Sequence, residues 1–211
     1  MTERTVHYFG YGSLVNRSTR PVGEAAAPAR LHGWRRSWTH RVPMSEHRYG
    51  CTALSIDPVG DRLGDDGAID GVVVEIPAAA LPALDAREAN YDRLALPREA
   101  FTLPPSVRAE TVFAYRSSAA RRLDPDPDHP VLQSYVDCIM AGYLERFDES
   151  GLEAWLATTD GWRAPLFDDR AAPRYPRAVT LPEALLARFD DRLEARRGRP
   201  DAPAPSWAGV A

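Results

Sequence analysis

Lysine is missing from this sequence, because all 26 of its basic residues are arginine. Without a lysine amine the protein cannot form a Schiff base, anchor pyridoxal phosphate or build a P-loop. The bias towards arginine, alanine and proline is typical of a GC-rich genome. The exclusion of lysine chemistry holds whatever the origin of the bias.

Cysteine is scarce as well: Cys51 and Cys138 lie far apart, and neither belongs to a CxxC motif. This spacing predicts two reduced thiols rather than a disulfide, which fits a reducing cytosol. A reactive pairing of Cys51 with His40 or His47 stays open, although nothing in the spacing favours it.

Long apolar runs are also absent. No run approaches the roughly 18–20 residues that span a bilayer, and the first residues lack the apolar stretch of a secretory signal. The net charge of −4 gives no bulk attraction for nucleic acid or an anionic membrane. We therefore expect a cytoplasmic protein with no membrane or nucleic-acid partner.

Metal-binding patterns are incomplete. The five histidines show no HExxH or other zinc spacing. The segment Asp124-Pro-Asp126-Pro-Asp128 imitates the start of a calcium loop, but His129 stands where the invariant glycine belongs and Tyr135 where the bidentate glutamate belongs. The sequence predicts no metal site.

The order of predicted elements indicates one α+β domain. Strand patterns dominate the first half and helical periodicity the second, without regular βαβ alternation, which favours a mixed sheet or small β-barrel with surrounding helices. The domain is expected to span 1–197, followed by a flexible tail over 198–211. Strands are predicted at 5–14, 29–41, 49–56, 68–76 and 111–115, and helices at 77–90, 130–147, 152–157 (with Ser150 as its cap) and 181–196.

Two short segments attract attention as candidate sites. Gly10-Tyr11-Gly12-Ser13 ends the first strand, and closely spaced glycines let backbone N–H groups approach a ligand. It is not a dinucleotide fingerprint, because the third glycine would fall at Val15, nor does it have the G-x-S-x-G frame of a nucleophile elbow. The second segment, Leu84-Asp-Ala-Arg-Glu88, has the composition of a solvated helix end when taken alone.

Together, the two segments resemble the γ-glutamylcyclotransferase superfamily, which includes ChaC-like and AIG2-like proteins. A strand ending in Phe9-Gly-Tyr-Gly-Ser-Leu14 is followed about 75 residues later by the Leu-Asp-x-x-Glu segment. Further similarities lie in Leu31-His-Gly-Trp-Arg-Arg36, Asp70-Gly-Val-Val-Val-Glu-Ile76, Val112-Phe-Ala-Tyr115 and Ser134-Tyr-Val-Asp-Cys-Ile-Met-Ala-Gly142. The resemblance covers roughly residues 6–147.

The resemblance implies a small-molecule γ-glutamyl substrate, no cofactor, and cyclisation to 5-oxoproline with release of an amine, a reaction classed with transferases or lyases. Glutathione degradation is one known role of such proteins. Glu88 is the expected catalytic residue. The expected substrate-binding residues are the cradle Tyr11, Gly12, Ser13 and Leu14 and the aromatic residues Tyr91, Tyr115 and Tyr135.

The expected role of Glu88 depends on its pKa. A carboxylate can serve first as base and then as acid if burial raises its pKa towards neutrality. The substrate carboxylate is expected to bind the turn amides, Ser13 or one of the arginines 17, 35 and 36, which the sequence cannot rank.

Two alternative functions remain: a binding module that kept the fold, and a serine hydrolase that uses Ser13. The segment 162–177 is expected to fold over the pocket and set the substrate preference.

Overall fold

The structure, a computed structural model, describes residues 4–20, 25–43, 50–60 and 67–199. Within these ranges the chain forms eleven strands and three α-helices. The strands are β1 (Thr5–Gly10), β2 (Ala26–His32), β3 (Trp34–Val42), β4 (Cys51–Pro58), β5 (Ala68–Pro77), β6 (Tyr91–Pro97), β7 (Phe101–Thr102), β8 (Thr111–Ser117), β9 (Val131–Leu132), β10 (Thr159–Asp160) and β11 (Leu166–Phe167). The helices are α1 (Leu81–Arg87), α2 (Gln133–Ala157) and α3 (Glu183–Arg197).

The strands form two mixed sheets. One has the order β6-β8-β1-β5-β2-β7, and the other has the order β10-β3-β4-β9-β11. In the first sheet β1 pairs antiparallel with β5 and parallel with β8; in the second, β3 pairs antiparallel with β4 and parallel with β10. The predicted α+β class with mixed strand pairing is therefore confirmed. The predicted tail lies outside the described residues, apart from Gly198 and Arg199.

The strand predicted at 29–41 is wrong in one respect, because the structure divides it into β2 and β3. Gly33 separates the two strands with a φ of +77°, a left-handed conformation that favours glycine. The two strands belong to different sheets. The aromatic and β-branched pattern ran through both strands, and a single glycine within it was too weak a signal for the change of sheet.

Other boundaries also differ from the prediction. The helix expected at 77–90 is shortened to the seven residues of α1, and residues 88–90 form a turn into β6. The helices expected at 130–147 and 152–157 form α2, which is broken at Asp148 (φ 57°, ψ −165°) rather than capped at Ser150. Four of the strands are two residues long and were not predicted, since such short pairings depend on tertiary neighbours rather than on local sequence.

Three tryptophans form the centre of the core between β3 and α2. Trp38 meets Trp155 and Trp162 edge-on, with ring centroids 6.4 Å and 5.4 Å apart. Edge-to-face aromatic pairs add about 0.5–1.5 kcal/mol to the stabilisation from buried area. The predicted apolar stripe of α2 packs against this cluster, and its members Val136, Ile139 and Tyr143 are fully buried.

A completely buried guanidinium connects the sheets to α2. Arg36, on β3, donates from Nε to the Tyr11 carbonyl (3.0 Å), from Nη1 to the Thr158 hydroxyl (2.7 Å) and from Nη2 to the Tyr143 hydroxyl (2.7 Å) and the Asp70 carbonyl. Burial lowers the pKa of Arg36, while the Tyr143 hydroxyl opposes that effect. One side chain therefore fixes the end of β1 against β5 and α2.

Two features are absent from the described part of the chain. No helix there combines the length and the apolar character needed to cross a bilayer. Within the same residues, no three His, Cys, Asp or Glu side chains gather in a way that could hold a metal ion. Cys51 and Cys138 are both free thiols.

Replacing the buried guanidinium tests its structural role. Arg36→Lys keeps the positive charge but cannot reach all four acceptors, so we expect a loss of about 3 kcal/mol in the free energy of unfolding. Urea denaturation of both proteins measures this loss. The matched control is Arg30→Lys, because Arg30 is half exposed and pairs with Asp70 at 3.3 Å; its loss should stay below about 1 kcal/mol. Equal losses for the two variants would contradict the assignment.

Candidate active site

The turn after β1 is tightly hydrogen-bonded. The amides of Val15 and Asn16 donate to the carbonyls of Gly12 and Ser13, both at 3.0 Å, and close a 3₁₀ turn. Among the described residues, the amides of Gly12, Ser13 and Leu14 donate to no acceptor. Backbone N–H groups fixed in this way can bind a carboxylate or a developing oxyanion.

The turn lies against the aromatic ring of Tyr135, the third residue of α2. A Cβ atom at Gly12 would stand 3.3 Å from the Tyr135 hydroxyl and 3.7 Å from Leu54 Cδ1. Glycine therefore leaves room at this point that any other residue would fill. The Asn16 side chain holds the turn in place by donating from Nδ2 to the Cys138 carbonyl at 2.8 Å.

Glu88 follows the last residue of α1, and its side chain is only 17% exposed. The backbone fixes its position, because the Glu88 amide donates to the Leu84 carbonyl (3.0 Å) and the Tyr91 amide donates to the Glu88 carbonyl (2.8 Å). Burial raises the pKa of the Glu88 carboxyl, against the opposing charges of Arg87 and Arg177. The nearer cation is Arg87, whose Nε lies 3.0 Å from Glu88 Oε1.

All eight residues predicted for the site surround one small inner cavity of about 40 Å³. The glycine turn forms one side of it and the Glu88 carboxyl another. Phe9 and Leu54 complete the wall. The predicted members are Tyr11, Gly12, Ser13, Leu14, Glu88, Tyr91, Tyr115 and Tyr135.

The tyrosines of the inner cavity are held by the protein itself. Tyr11 donates its hydroxyl to the Tyr115 carbonyl (2.6 Å), Tyr91 to the Leu54 carbonyl (2.9 Å) and Tyr115 to the Asp85 carboxylate (2.7 Å). Burial raises the pKa of Tyr11, Tyr91, Tyr115 and Tyr135, so each remains a neutral phenol. The side chains of Tyr11, Tyr91 and Tyr115 therefore offer rigid aromatic surface rather than uncommitted hydroxyl groups.

A larger outer cavity of about 420 Å³ adjoins the inner one. The two share Ser13, Glu88, Tyr91 and Tyr135, so that the carboxyl group of Glu88 stands at their junction. The rest of the outer cavity is lined by His40, Val42, Cys51, Thr52, Ala53, Arg87, Asn90, Leu132 and the segment 173–177.

The sequence left open a reactive pair of Cys51 and His40. The structure shows no activated thiolate–imidazole pair between these two residues. Both residues line the outer cavity, but burial raises the pKa of the Cys51 thiol to about 11 and lowers that of His40 to about 4. The thiol is therefore protonated and the imidazole neutral near pH 7. His40 instead stacks on Tyr91, with ring centroids 3.7 Å apart. His47 lies outside the described residues.

No protein-family model matches the sequence, and a search of curated proteins gives no significant match. A solved γ-glutamyl cyclotransferase is similar over 91% of this chain and 99% of its own, with a TM-score of 0.53 and 16% identity. The chain has the γ-glutamylcyclotransferase fold.

Two more solved structures share the γ-glutamylcyclotransferase fold with this chain. The uncharacterized human protein loc79017 has a TM-score of 0.50 and 16% identity, over 91% of this chain and 99% of its own. YkqA from Bacillus subtilis has a TM-score of 0.51 and 17% identity, and the similarity covers 72% of this chain and 53% of YkqA. At these identities the likeness describes the fold alone.

The arginines expected to bind the substrate carboxylate line neither the inner nor the outer cavity. Arg36 is committed to the core, Arg35 forms an ion pair with Asp160 at 2.8 Å, and Arg17 is exposed. The structure places Arg87 and Arg177 there instead. Arg87 adjoins Glu88 in the motif and was therefore recognisable in the sequence, whereas no local signal marks Arg177.

The segment expected to cover the pocket is shorter than predicted. Only 173–177, which we call the strap, lines the outer cavity. Trp162 is instead a core residue, 3% exposed, that packs against Trp38 and Trp155. The aromatic residue at the start of 162–177, Trp162, therefore belongs to the core, whereas Tyr175 near its end lines the outer cavity.

The buried carboxyl makes the stability of this γ-glutamylcyclotransferase fold depend on pH. Because the pKa of Glu88 is raised on folding, its contribution is fully present below the ordinary glutamate pKa and is lost as pH rises through the folded value. Glu88→Gln does not titrate, so its melting temperature should rise relative to the wild type as pH increases from about 4 to 8.

Differential scanning fluorimetry across this pH range provides the measurement. Glu145→Gln is the control, because Glu145 is exposed on α2, and the offset of this variant from the wild type should stay nearly constant. If the difference in melting temperature between Glu88→Gln and the wild type does not change with pH, the pKa of the Glu88 carboxyl is not raised.

Proposed function

We propose that the protein is an enzyme that cyclises a γ-glutamyl amide, amino acid or peptide to 5-oxoproline and releases the amine, without a cofactor. The observation that carries this proposal is the buried Glu88 carboxyl, raised in pKa, on the same small cavity as the Gly12–Ser13 turn. The γ-glutamylcyclotransferase fold supports it.

The reaction needs no nucleophile from the protein. The α-nitrogen of the substrate attacks its own γ-carbonyl carbon, which forms the ring C–N bond, and the bond from that carbon to the leaving nitrogen breaks. The α-ammonium loses two protons in becoming the ring amide, and the leaving nitrogen gains two in becoming an ammonium. Since these balance, no co-reactant is required. Holding the substrate folded exploits the high effective molarity of ring closure, about 10⁵ M or more in well-oriented cases.

Glu88 is suited to carry those protons between the two nitrogens. A carboxyl group of ordinary pKa is too weak a base for an ammonium, whereas one raised by burial is closer to the pH at which the enzyme works. Arg87 and Arg177 oppose the rise, so that the group can still ionise. The amides of Gly12, Ser13 and Leu14 lie on the same cavity and are suited to stabilise the oxyanion of the tetrahedral intermediate.

The central prediction concerns Glu88. Glu88→Gln should abolish 5-oxoproline release, by about 10³-fold or more, because the amide cannot accept a proton. Mass spectrometry would follow product formation from a panel of γ-glutamyl amines, γ-glutamyl amino acids and glutathione. Glu75→Gln, a change of the same chemistry at an exposed position, should retain activity.

The results of this panel also test the alternative of a binding module on the same fold. Full activity in Glu88→Gln would refute the proposed mechanism. Binding of one substrate by the wild type without turnover of any would favour the module.

The serine hydrolase alternative makes a different prediction. Ser13 lacks the histidine base that serine hydrolases use, because His40, the one histidine among the described residues of the outer cavity, has its pKa lowered to about 4 and its Nδ1 lies 3.0 Å from the Ser117 hydroxyl. Ser13→Ala should therefore reduce kcat/KM by only about tenfold, the effect of one lost hydrogen bond. A loss as large as that of Glu88→Gln, or covalent labelling of Ser13 by a phosphonate, would support the hydrolase instead.

A further inference from the structure

The outer cavity is the part of the site that can receive the leaving amine. The inner cavity, at about 40 Å³, has room for only a few atoms beside the turn, whereas the outer one is about 420 Å³. Glu88 stands at the junction, where a proton must reach the departing nitrogen. A substrate whose scissile amide lies beside Glu88 therefore directs its leaving group into the outer cavity.

The charge of the outer cavity is positive. Among its described lining residues, Arg87, Arg174 and Arg177 are cationic and Glu88 is the one acidic side chain. His40 adds no charge near pH 7, because its pKa is lowered to about 4. An anionic leaving group is thus favoured in this space, and a cationic one is repelled.

Arg177 is the cation in this group with no partner among the described residues. Arg87 donates to the Thr19 carbonyl at 2.7 Å and contacts Glu88, and the guanidinium of Arg174 stacks on Phe167 with 3.9 Å between Cζ and the ring centroid. Arg177 is exposed and forms neither a hydrogen bond nor an ion pair within the described ranges. Its charge nevertheless reaches Glu88 and Tyr175, where it opposes the rise in pKa that burial causes.

Tyr175 of the strap also lines the outer cavity. Its hydroxyl is shielded from solvent and has no well-formed hydrogen bond in the described part of the chain; burial raises the pKa of Tyr175, and the nearby Ser13 side chain opposes that rise. Burying a polar group without a partner is unfavourable, so a ligand oxygen that reached this hydroxyl would relieve that cost. The Tyr175 ring packs on Tyr135, with centroids 4.9 Å apart.

The strap that carries both groups is held in one conformation. The buried carboxylate of Asp169 accepts hydrogen bonds from the Ser134 amide (2.8 Å), the Ser134 hydroxyl (2.6 Å) and the Arg174 amide (2.8 Å). The Ala178 amide donates to the Tyr175 carbonyl at 3.1 Å and closes the turn at the end of the strap. A backbone fixed in this way loses little conformational entropy when a ligand binds.

We propose that Arg177 and the Tyr175 hydroxyl bind a carboxylate on the leaving amine, so that the protein prefers γ-glutamyl amino acids or peptides over γ-glutamyl amines without a carboxylate. The proposal rests on the function proposed above. Arg177 contributes the charge and the planar donor pair that suits a carboxylate, and Tyr175 contributes one neutral donor. Both are specificity-determining residues; neither takes part in proton transfer.

A matched pair of substrates tests the proposal. γ-Glutamylalanine and γ-glutamylethylamine differ only in the carboxylate of the leaving group. The wild type should show a higher kcat/KM for the alanine compound, and Arg177→Gln should lower the ratio of the two values by about tenfold or more, the usual effect of losing a charge-assisted hydrogen bond. Any change that the lost charge makes to the pKa of Glu88 affects both substrates and cancels in the ratio.

Two variants complete the design. Tyr175→Phe should lower the ratio by about threefold to tenfold, the effect of one neutral hydrogen bond. Arg163→Gln is the matched control, because Arg163 is an exposed arginine that does not line the outer cavity, and it should leave the ratio unchanged. A wild-type ratio near one, or a ratio insensitive to Arg177→Gln, would overturn the proposal while leaving the cyclisation itself intact.

Binding measurements separate this proposal from the proposed function. Isothermal titration calorimetry of Glu88→Gln with both compounds reports affinity without turnover. Tighter binding of γ-glutamylalanine that disappears in the Glu88→Gln/Arg177→Gln double variant supports the carboxylate site even if the wild type turns over neither compound, a result that would overturn the cyclisation alone. Absence of both binding and turnover would overturn both.

Discussion

The guanidinium of Arg36 fixes the turn around which the candidate site is built. A cation in the protein interior is tolerated only where its donors are satisfied, and Arg36 meets this condition through acceptors on four separate parts of the chain. The Tyr11 carbonyl accepts from both Arg36 and the Tyr143 hydroxyl, at 3.0 Å and 2.9 Å. The direction in which the chain enters Gly12 is therefore set by β3 and α2 together, before any ligand is present.

The ionisation of Glu88 depends on a balance between burial and nearby positive charge. Burial beside aromatic rings makes the charged carboxylate less favourable, while two arginines make it more favourable, and the first effect is the larger. This arrangement lowers the stability of the folded chain at neutral pH, as is common for groups retained for function. Its position immediately after α1 explains how a short helix can hold one carboxyl at the junction of two cavities: backbone hydrogen bonds on both sides of Glu88 fix the residue.

Most of the residues around the inner cavity were predicted from the family resemblance, whereas Arg87 and Arg177 of the outer cavity were not predicted. The glycine turn and the Leu84–Glu88 segment are short motifs whose function depends on their own backbone, and the resemblance joined them, so all eight predicted residues surround one cavity. The division of β2 from β3 and the position of Arg177 depend on contacts distant in sequence. Arg177 approaches Glu88 only because Asp169 ties the strap to Ser134, 35 positions away along the chain. No periodicity or motif encodes such a link.

The first turn of α2 supports the walls of both cavities. Tyr135 approaches the Gly12 turn through its hydroxyl, whereas the neighbouring residue Ser134 binds Asp169 and through it the strap. Adjacent residues on one rigid helix thus support the two walls. Residues 173–177 line the outer cavity but not the inner one, although the Tyr175 ring packs on Tyr135, which belongs to both. Under the proposed function, this arrangement would let the strap set which amine is released while the ring closure takes place between Glu88 and the turn.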